Sequence, residues 1–290
     1  MISRFNRLAD HRIELRHDRE GTQRLPCPEC EKGARDTALA VTIDHDGAVW
    51  QCFRCGFKGA VRDRVESITR PTERPPVKRP EPERHETLAP RWRAFWHECM
   101  PVTGDCVAGR YLRNRECVIP PKDGDLRWHP DTWHWPTQLR IPAMVGLITD
   151  AVTCELLSLH FTYLKSDGTG KADVDRAKLL LPKHRKSGGV IRLWPDEGVT
   201  YSIGLAEGIE SALSLAHSHA PVWCCVDAGN LAALPVLSGI ATAVVAVDYD
   251  KAGLIAYQAF ATRWTSAGKE VRMVLPSEPG LDINDEARAA

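Results

Sequence analysis

The C-terminal third of the chain alternates between short apolar runs and longer stretches in which apolar residues recur every three or four positions. Short apolar runs are typical of buried strands, and the recurrence is typical of amphipathic helices. Because strands alternate with helices, the pattern predicts an α/β domain with a parallel sheet at residues 196–290. The predicted strands are 199–207, 220–226, 241–248 and 270–276, and the predicted helices are 208–218, 230–237 and 252–268.

Residues 91–195 combine helical and strand-like patterns, which predicts a mixed α+β domain. Residues 91–99 and 105–113 have helical periodicity, and residues 146–164 alternate like the two strands of a hairpin. The segment 178–192 then carries a cluster of basic side chains, which is a candidate surface for nucleotide or template binding, with a solvated turn as the alternative. These side chains are Lys178, Lys183, His184, Arg185, Lys186 and Arg192.

Four of the ten cysteines form two C-x2-C pairs in the N-terminal region, residues 1–66. Between the pairs, residues 38–52 alternate like two strands that turn at Asp46 and Gly47. Two such pairs complete the tetrahedron of thiolates that structural zinc prefers, so we predict a zinc ribbon; a redox pair or unrelated thiols are the alternatives. The predicted zinc ligands are Cys27, Cys30, Cys52 and Cys55.

The ribbon region also carries aromatic and basic side chains that could stack on bases and contact phosphates. These side chains are Trp50, Phe53, Arg54 and Lys58, of which Trp50, Arg54 and Lys58 are the candidates for template binding. Trp50 and Phe53 could each equally form the small core of the ribbon. The proline-rich residues 67–90 follow and predict an extended linker.

The overall charge is balanced, with 38 basic and 38 acidic residues, so any binding of a polyanion must arise from local clusters. No apolar run is long enough to span a membrane, and the N-terminus lacks the apolar core of a signal peptide. We therefore expect a cytoplasmic protein without a membrane partner.

Carboxylates follow the predicted strands of the C-terminal domain. Glu207 follows the first strand, Asp248 and Asp250 follow the third, and Asp282 follows the fourth. The carboxyl ends of parallel strands meet at one edge of the sheet, where ligands collect. So many negative charges at one edge would repel each other without a divalent cation, so the sequence predicts a metal site there.

The segments "LAEGIESALS", "VDYDKAG" and "GLDINDEA" resemble the motifs of the Toprim domain. A zinc ribbon, a middle basic domain and a C-terminal Toprim domain occur in this order in DnaG-type DNA primases of bacteria, phages and plasmids. The middle stretch "LRWHPDTWHWP" and the segment "LHFTYLKSDGTGKA" are similar to the phage and mobile-element members.

The resemblance implies a nucleotidyltransferase that makes short primers on single-stranded DNA from nucleoside triphosphates, with a separate replicative helicase as a partner. It implies that Glu207 assists metal binding or acts as an acid or base, and that Asp248 and Asp250 bind magnesium or manganese. Asp282 matches a further metal ligand, Asn284 replaces a second carboxylate for which Asp285 could substitute, and Lys178 matches a nucleotide-handling lysine. The four cysteines match the structural zinc ligands.

Two other functions remain open from the sequence. A Toprim nuclease would use similar carboxylates with water as the nucleophile, although such proteins usually carry an ATPase, for which this chain has no motif. A non-catalytic DNA-binding or loading factor would use the ribbon and the Toprim domain for assembly alone. Retention of Glu207, Asp248 and Asp250 favours an enzyme.

Overall fold

A computed structural model describes residues 8–30, 32–33, 36–45, 47–62 and 85–289. The chain divides into two compact units, Met1–Lys78 and Arg79–Ala290. Most of the predicted linker, 67–90, lies outside the described residues, as does Asp46 of the predicted turn. In the described ranges, no helix is long and apolar enough to cross a membrane.

The first unit contains a four-stranded antiparallel sheet in the order β1-β2-β3-β4. The strands are β1 (Gly21–Leu25), β2 (Leu39–Asp44), β3 (Gly47–Cys52) and β4 (Lys58–Arg62). The predicted hairpin is confirmed as β2 and β3, which pair from Asp44 opposite Gly47 to Leu39 opposite Cys52. The two outer strands were not predicted.

The second unit begins with an α+β part that confirms the predicted mixed pattern. Its elements are α1 (Pro90–Glu98), β5 (Met100–Pro101), α2 (Val107–Asn114), β6 (Leu126–His134), β7 (Leu139–Asp150), β8 (Leu156–Tyr163), β9 (Lys178–Leu180) and β10 (Gly189–Val190). The strands form an antiparallel sheet in the order β5-β6-β7-β8-β9, and β10 pairs with β7. The predicted hairpin is β7 and β8.

The rest of the second unit is the predicted α/β fold. Its elements are β11 (Ser202–Ala206), α3 (Ile209–Leu215), β12 (Val222–Cys224), α4 (Ala228–Ala233), β13 (Thr242–Ala246), α5 (Lys251–Ser266), β14 (Glu270–Val274) and α6 (Ile283–Ala287). All the strands are parallel, in the order β12-β11-β13-β14. Strands β11 and β13 are central and consist mostly of buried apolar residues, because helices cover both faces.

The two parts of the second unit share one hydrophobic core. Tyr111 and Met144 from the α+β part pack in the same buried cluster as Ile209 and Leu213 from helix α3. The end of the predicted linker also belongs to this unit, because Leu88 is buried and its N–H donates to the carbonyl oxygen of Leu156 at 2.6 Å. Residues 85–289 therefore pack as one body.

Candidate functional site

The carboxyl edge of the parallel sheet carries the predicted acidic residues. Glu207 follows β11 directly, and Asp248 and Asp250 follow β13, on the two central strands. The Asp250 side chain caps helix α5 by accepting from the Gly253 N–H at 2.9 Å. Gly253 is required at this turn, because a β-carbon there would overlap the carbonyl oxygen of Asp248.

Two carboxylate oxygens at this edge are buried without a hydrogen-bond partner among the described residues, namely Glu207 Oε1 and Asp248 Oδ1. Burial and the charges of Asp248 and Asp250 raise the pKa of Glu207 to about 8. Burial and the charges of Asp282 and Asp250 raise the pKa of Asp248 to about 6. A divalent cation would satisfy the unpartnered oxygens and relieve the repulsion, so these residues fit the implied metal.

These carboxylates are not gathered as tightly as the cysteines. In the described part of the chain, the only group of three or more potential ligand atoms within 4.8 Å of one another is the set of four cysteine sulfurs. The carboxylate side chains of the acidic edge would therefore have to turn toward a common point to bind one ion.

Asp227 is a further acidic residue at this edge that the sequence analysis missed. It lies just beyond β12, and its charge contributes to the raised pKa of Glu207. Its N–H donates to the Cys225 carbonyl oxygen at 2.8 Å across Val226, whose φ of 72° is strained for a β-branched residue. Its position after an apolar strand is the same signal that identified Asp248.

Three polar residues at the start of helix α6 make different contacts. Asp282 caps the helix by accepting from the Asp285 N–H at 2.8 Å, and its charge contributes to the raised pKa of Asp248. Asn284 is fully buried, and its side-chain amide donates to the Ser214 hydroxyl at 2.9 Å. Asn284 thus holds α6 against α3, and Asp285 pairs with Arg115 at 3.8 Å.

Two lysines of the α+β part lie beside the acidic edge. Lys178, which was predicted, donates to Glu210 Oε2 at 2.9 Å, and its charge acts to lower the pKa of Asp248. Lys171, which was not predicted, lies 3.4 Å from Glu210 Oε1. Glu210 was also missed, because an acidic residue in the first turn of a helix is usually solvated.

The remaining basic residues of 178–192 are mostly paired. Lys186 contacts Asp227 at 2.5 Å, Arg185 contacts Asp150 at 3.2 Å, and the buried Arg192 contacts Asp196. Lys183 is exposed on the turn after β9. The predicted basic cluster therefore presents less free charge than its composition indicated.

The four predicted zinc ligands converge in the first unit. The sulfurs of Cys27 and Cys55 are 3.6 Å apart, and those of Cys30 and Cys52 are 3.7 Å apart. Zinc–sulfur bonds of about 2.3 Å in a tetrahedron separate the sulfurs by about 3.8 Å. The cluster therefore fits a structural zinc ion.

The candidate template-binding residues of the ribbon divide between core and surface. Trp50 is only 4% exposed and packs against His11, and Arg54 pairs with Asp36 at 3.0 Å. Lys58 is exposed, as is Phe53 at 64%, and the Arg24 guanidinium lies 4.7 Å from the centroid of the Phe53 ring. The structure thus places Trp50 in the core and Phe53, with Arg24, on the surface.

Comparison with known proteins identifies the class of the C-terminal part. Residues 202–290 match the Toprim domain family, and residues 86–193 match a domain of unknown function, DUF7146. The parallel sheet with its acidic edge is therefore a Toprim domain, which confirms the predicted fold class. No curated protein matches the chain.

Solved structures with a similar fold include three primases. A DNA primase domain from Pseudomonas aeruginosa has 16% identity and a TM-score of 0.44, over 69% of this chain and 74% of that one. The primase fragment of the bacteriophage T7 primase-helicase protein has 13% identity and a TM-score of 0.39, over 90% and 92%. The zinc-binding and RNA polymerase domains of the Aquifex aeolicus primase have 14% identity and a TM-score of 0.43, over 99% and 80%.

Proposed function

We propose that the protein is a DNA primase, which makes short oligonucleotides on a single-stranded DNA template by metal-dependent nucleotidyl transfer. The observation that carries this proposal is a set of buried carboxylate oxygens without a partner, on Glu207 and Asp248, close enough to Lys178 for its charge to lower the pKa of Asp248. Lys171 lies beside Lys178, on the same carboxylate of Glu210. Carboxylates that hold a divalent ion beside cations that bind phosphates are what nucleotidyl transfer requires.

Asp248 and Asp250 would hold magnesium or manganese, with Asp282 close to them. The ion would neutralise charge on the α-phosphate and on the leaving pyrophosphate and would favour ionisation of the attacking 3′ hydroxyl. Magnesium fits because it takes few protein ligands and shares substrate phosphates.

Glu207 would exchange the proton of the attacking 3′ hydroxyl. Burial and the neighbouring carboxylates raise its pKa to about 8 in the metal-free protein, and a bound cation would lower it toward the ionised form that accepts a proton. Lys178 and Lys171 would bind the triphosphate, because their side chains remain 41% and 37% exposed where both contact Glu210.

The ribbon would bind the template. Phe53 offers an exposed ring for base stacking, and Arg24 and Lys58 offer charge for the backbone. Zinc, bound by the four cysteines, would stabilise this unit, and a separate helicase remains the predicted partner that exposes single-stranded DNA.

Incorporation of labelled nucleotides on single-stranded templates tests the proposal. We expect short products that require the template, magnesium or manganese, and Asp248. Template degradation without synthesis would identify a nuclease instead, and DNA binding without synthesis or cleavage would identify a loading factor.

A further inference from the structure

Glu210 is a buried carboxylate that meets two hydrogen-bond donors and a further ammonium group from another part of the second unit. It lies in the first turn of α3 and is 3% exposed. The Tyr111 hydroxyl donates to Oε1 at 2.8 Å, Lys178 donates to Oε2 at 2.9 Å, and Lys171 lies 3.4 Å from Oε1. All three groups come from the α+β part, whereas Glu210 comes from the Toprim domain.

The charges of this cluster do not cancel. One carboxylate faces two ammonium groups, which leaves one positive charge in excess, and both lysine side chains remain more than a third exposed. Burial alone would raise the pKa of Glu210, but the charges of Lys178 and Lys171 and the hydrogen bonds from Lys178 and Tyr111 lower it, so the carboxylate stays ionised. The excess charge therefore remains available to a ligand at the surface.

The cluster also restricts two flexible side chains. A free lysine side chain samples many rotamers, and two neighbouring ammonium groups repel each other. Tyr111 and the packing of α3 fix the carboxylate of Glu210, which in turn fixes both ammonium groups. Helix α3 begins immediately after Glu207 and Gly208. The same short segment therefore positions Glu207 at the acidic edge and Glu210 beside the two lysines.

On the basis of the primase function proposed above, we propose that Glu210 is a positioning residue that holds Lys171 and Lys178 where the triphosphate of the incoming nucleotide binds. Glu210 itself contacts no substrate. It thus governs nucleotide affinity more than the rate of the chemical step, because it acts through the two lysines.

The variant Glu210→Gln tests this role, since it keeps the side-chain shape and removes the charge. We expect the KM for nucleoside triphosphate to rise roughly tenfold or more, with kcat changed by less than about threefold, because Lys178 loses its charge-assisted hydrogen bond to Glu210 and the two ammonium groups then repel each other out of place. Equilibrium binding of a fluorescent ATP analogue to the full chain should weaken by a similar factor. Asp125→Asn, at a half-buried carboxylate that accepts a hydrogen bond from the Thr149 hydroxyl, is the control and should leave the KM unchanged.

A double-mutant cycle separates positioning from a general structural effect. If Glu210 acts through Lys178, then Glu210→Gln should weaken ATP-analogue binding much less in a Lys178→Met background than in the wild type. Additive losses would overturn the proposal. If Glu210→Gln does not fold, Tyr111→Phe keeps every charge and releases the carboxylate, and it should raise the KM by a few-fold; an unchanged KM in this variant would also overturn the proposal.

The outcomes distinguish this inference from the proposed function. If Glu210→Gln makes primers as well as the wild type, with unchanged KM and unchanged analogue binding, only the positioning role of Glu210 is overturned. A wild-type protein that makes no oligonucleotide would overturn the primase function, while analogue binding that depends on Glu210 would still support the positioning role. The binding measurement therefore decides the inference whether or not synthesis occurs.

Discussion

The unpartnered oxygens of Glu207 and Asp248 are a cost to the fold that a bound cation would offset. A buried carboxylate oxygen without a donor destabilises the folded state, and neighbouring carboxylates add repulsion. The same burial and repulsion raise the pKa of Glu207 to about 8 and the pKa of Asp248 to about 6. The chain keeps these residues at the sheet edge despite the cost, which favours a functional reason for them.

Replacing Asp248 should therefore separate activity from stability. Asp248→Asn keeps the side-chain shape and withdraws a charged ligand, so we expect nucleotide incorporation to fall by at least about a hundredfold. The melting temperature without metal should stay the same or rise, because repulsion with Asp250 and Asp282 is removed. Incorporation assays and thermal unfolding in the absence of magnesium measure both effects.

Asp131→Asn is the control for this comparison, since Asp131 forms an exposed pair with Arg140 on the β6–β7 hairpin. It should match the wild type in both measurements. Wild-type incorporation by Asp248→Asn would leave the acidic edge without a catalytic role and would favour the loading factor.

Single residues also mark the limit of what the sequence could predict. Glu207 and Asp248 were predictable, because they lie within two residues of the ends of the apolar strands β11 and β13. The choice between Trp50 and Phe53 was not, since both are aromatic and only the packing of His11 and Phe57 on Trp50 decides which ring is buried. Glu210 was missed because its burial depends on Tyr111, which is 99 positions away in sequence.

Strands and helices could be predicted from the sequence where a single hydrophobic pattern dominates the segment. The central strands β11 and β13 are buried on both faces and therefore appear as nearly continuous apolar runs. Strands β1 and β4 lie at the edges of the ribbon sheet, and most of their residues are exposed or half-buried. Their sequences carry too weak a pattern to distinguish them from loops.

The junction of β13 and α5 should be sensitive to a single methyl group. Gly253→Ala would bring a β-carbon against the carbonyl oxygen of Asp248 and force the turn to shift. We expect nucleotide incorporation to fall by roughly tenfold or more, because a small displacement of catalytic groups has a large effect on rate. Incorporation at saturating magnesium measures this loss.

Gly198→Ala is the matched control, because a β-carbon at Gly198 would make only an ordinary contact of 3.8 Å with Trp194. It should retain wild-type activity. Equal activity in both glycine variants would show that the turn tolerates the methyl group and that its geometry does not limit the site.

The whole chain should respond to metal removal in two separate steps. Zinc bound by thiolates supplies much of the folding free energy of a small unit, whereas the unit Arg79–Ala290 has its own large core. A zinc chelator should therefore unfold the unit Met1–Lys78 and leave the other folded. Hydrogen exchange followed by mass spectrometry measures the two units separately.

Cys27→Ser should reproduce the effect of the chelator, because it removes one of the four converging sulfurs. Cys154→Ser, at an exposed cysteine outside the cluster, should behave like the wild type. Protection of residues 21–62 that survives both chelation and Cys27→Ser would contradict a structural zinc site.

Glu210, which joins the two parts of the second unit, also limits which recombinants of such a chain can fold and function. Residues 86–193 and 202–290 match two different families, yet Glu210 from one region meets Tyr111, Lys171 and Lys178 from the other. A recombination event that exchanged the Toprim segment alone would place a foreign residue against two ammonium groups in a shared core. Hybrids should therefore survive selection only when both segments come from the same parent or when these four positions change together.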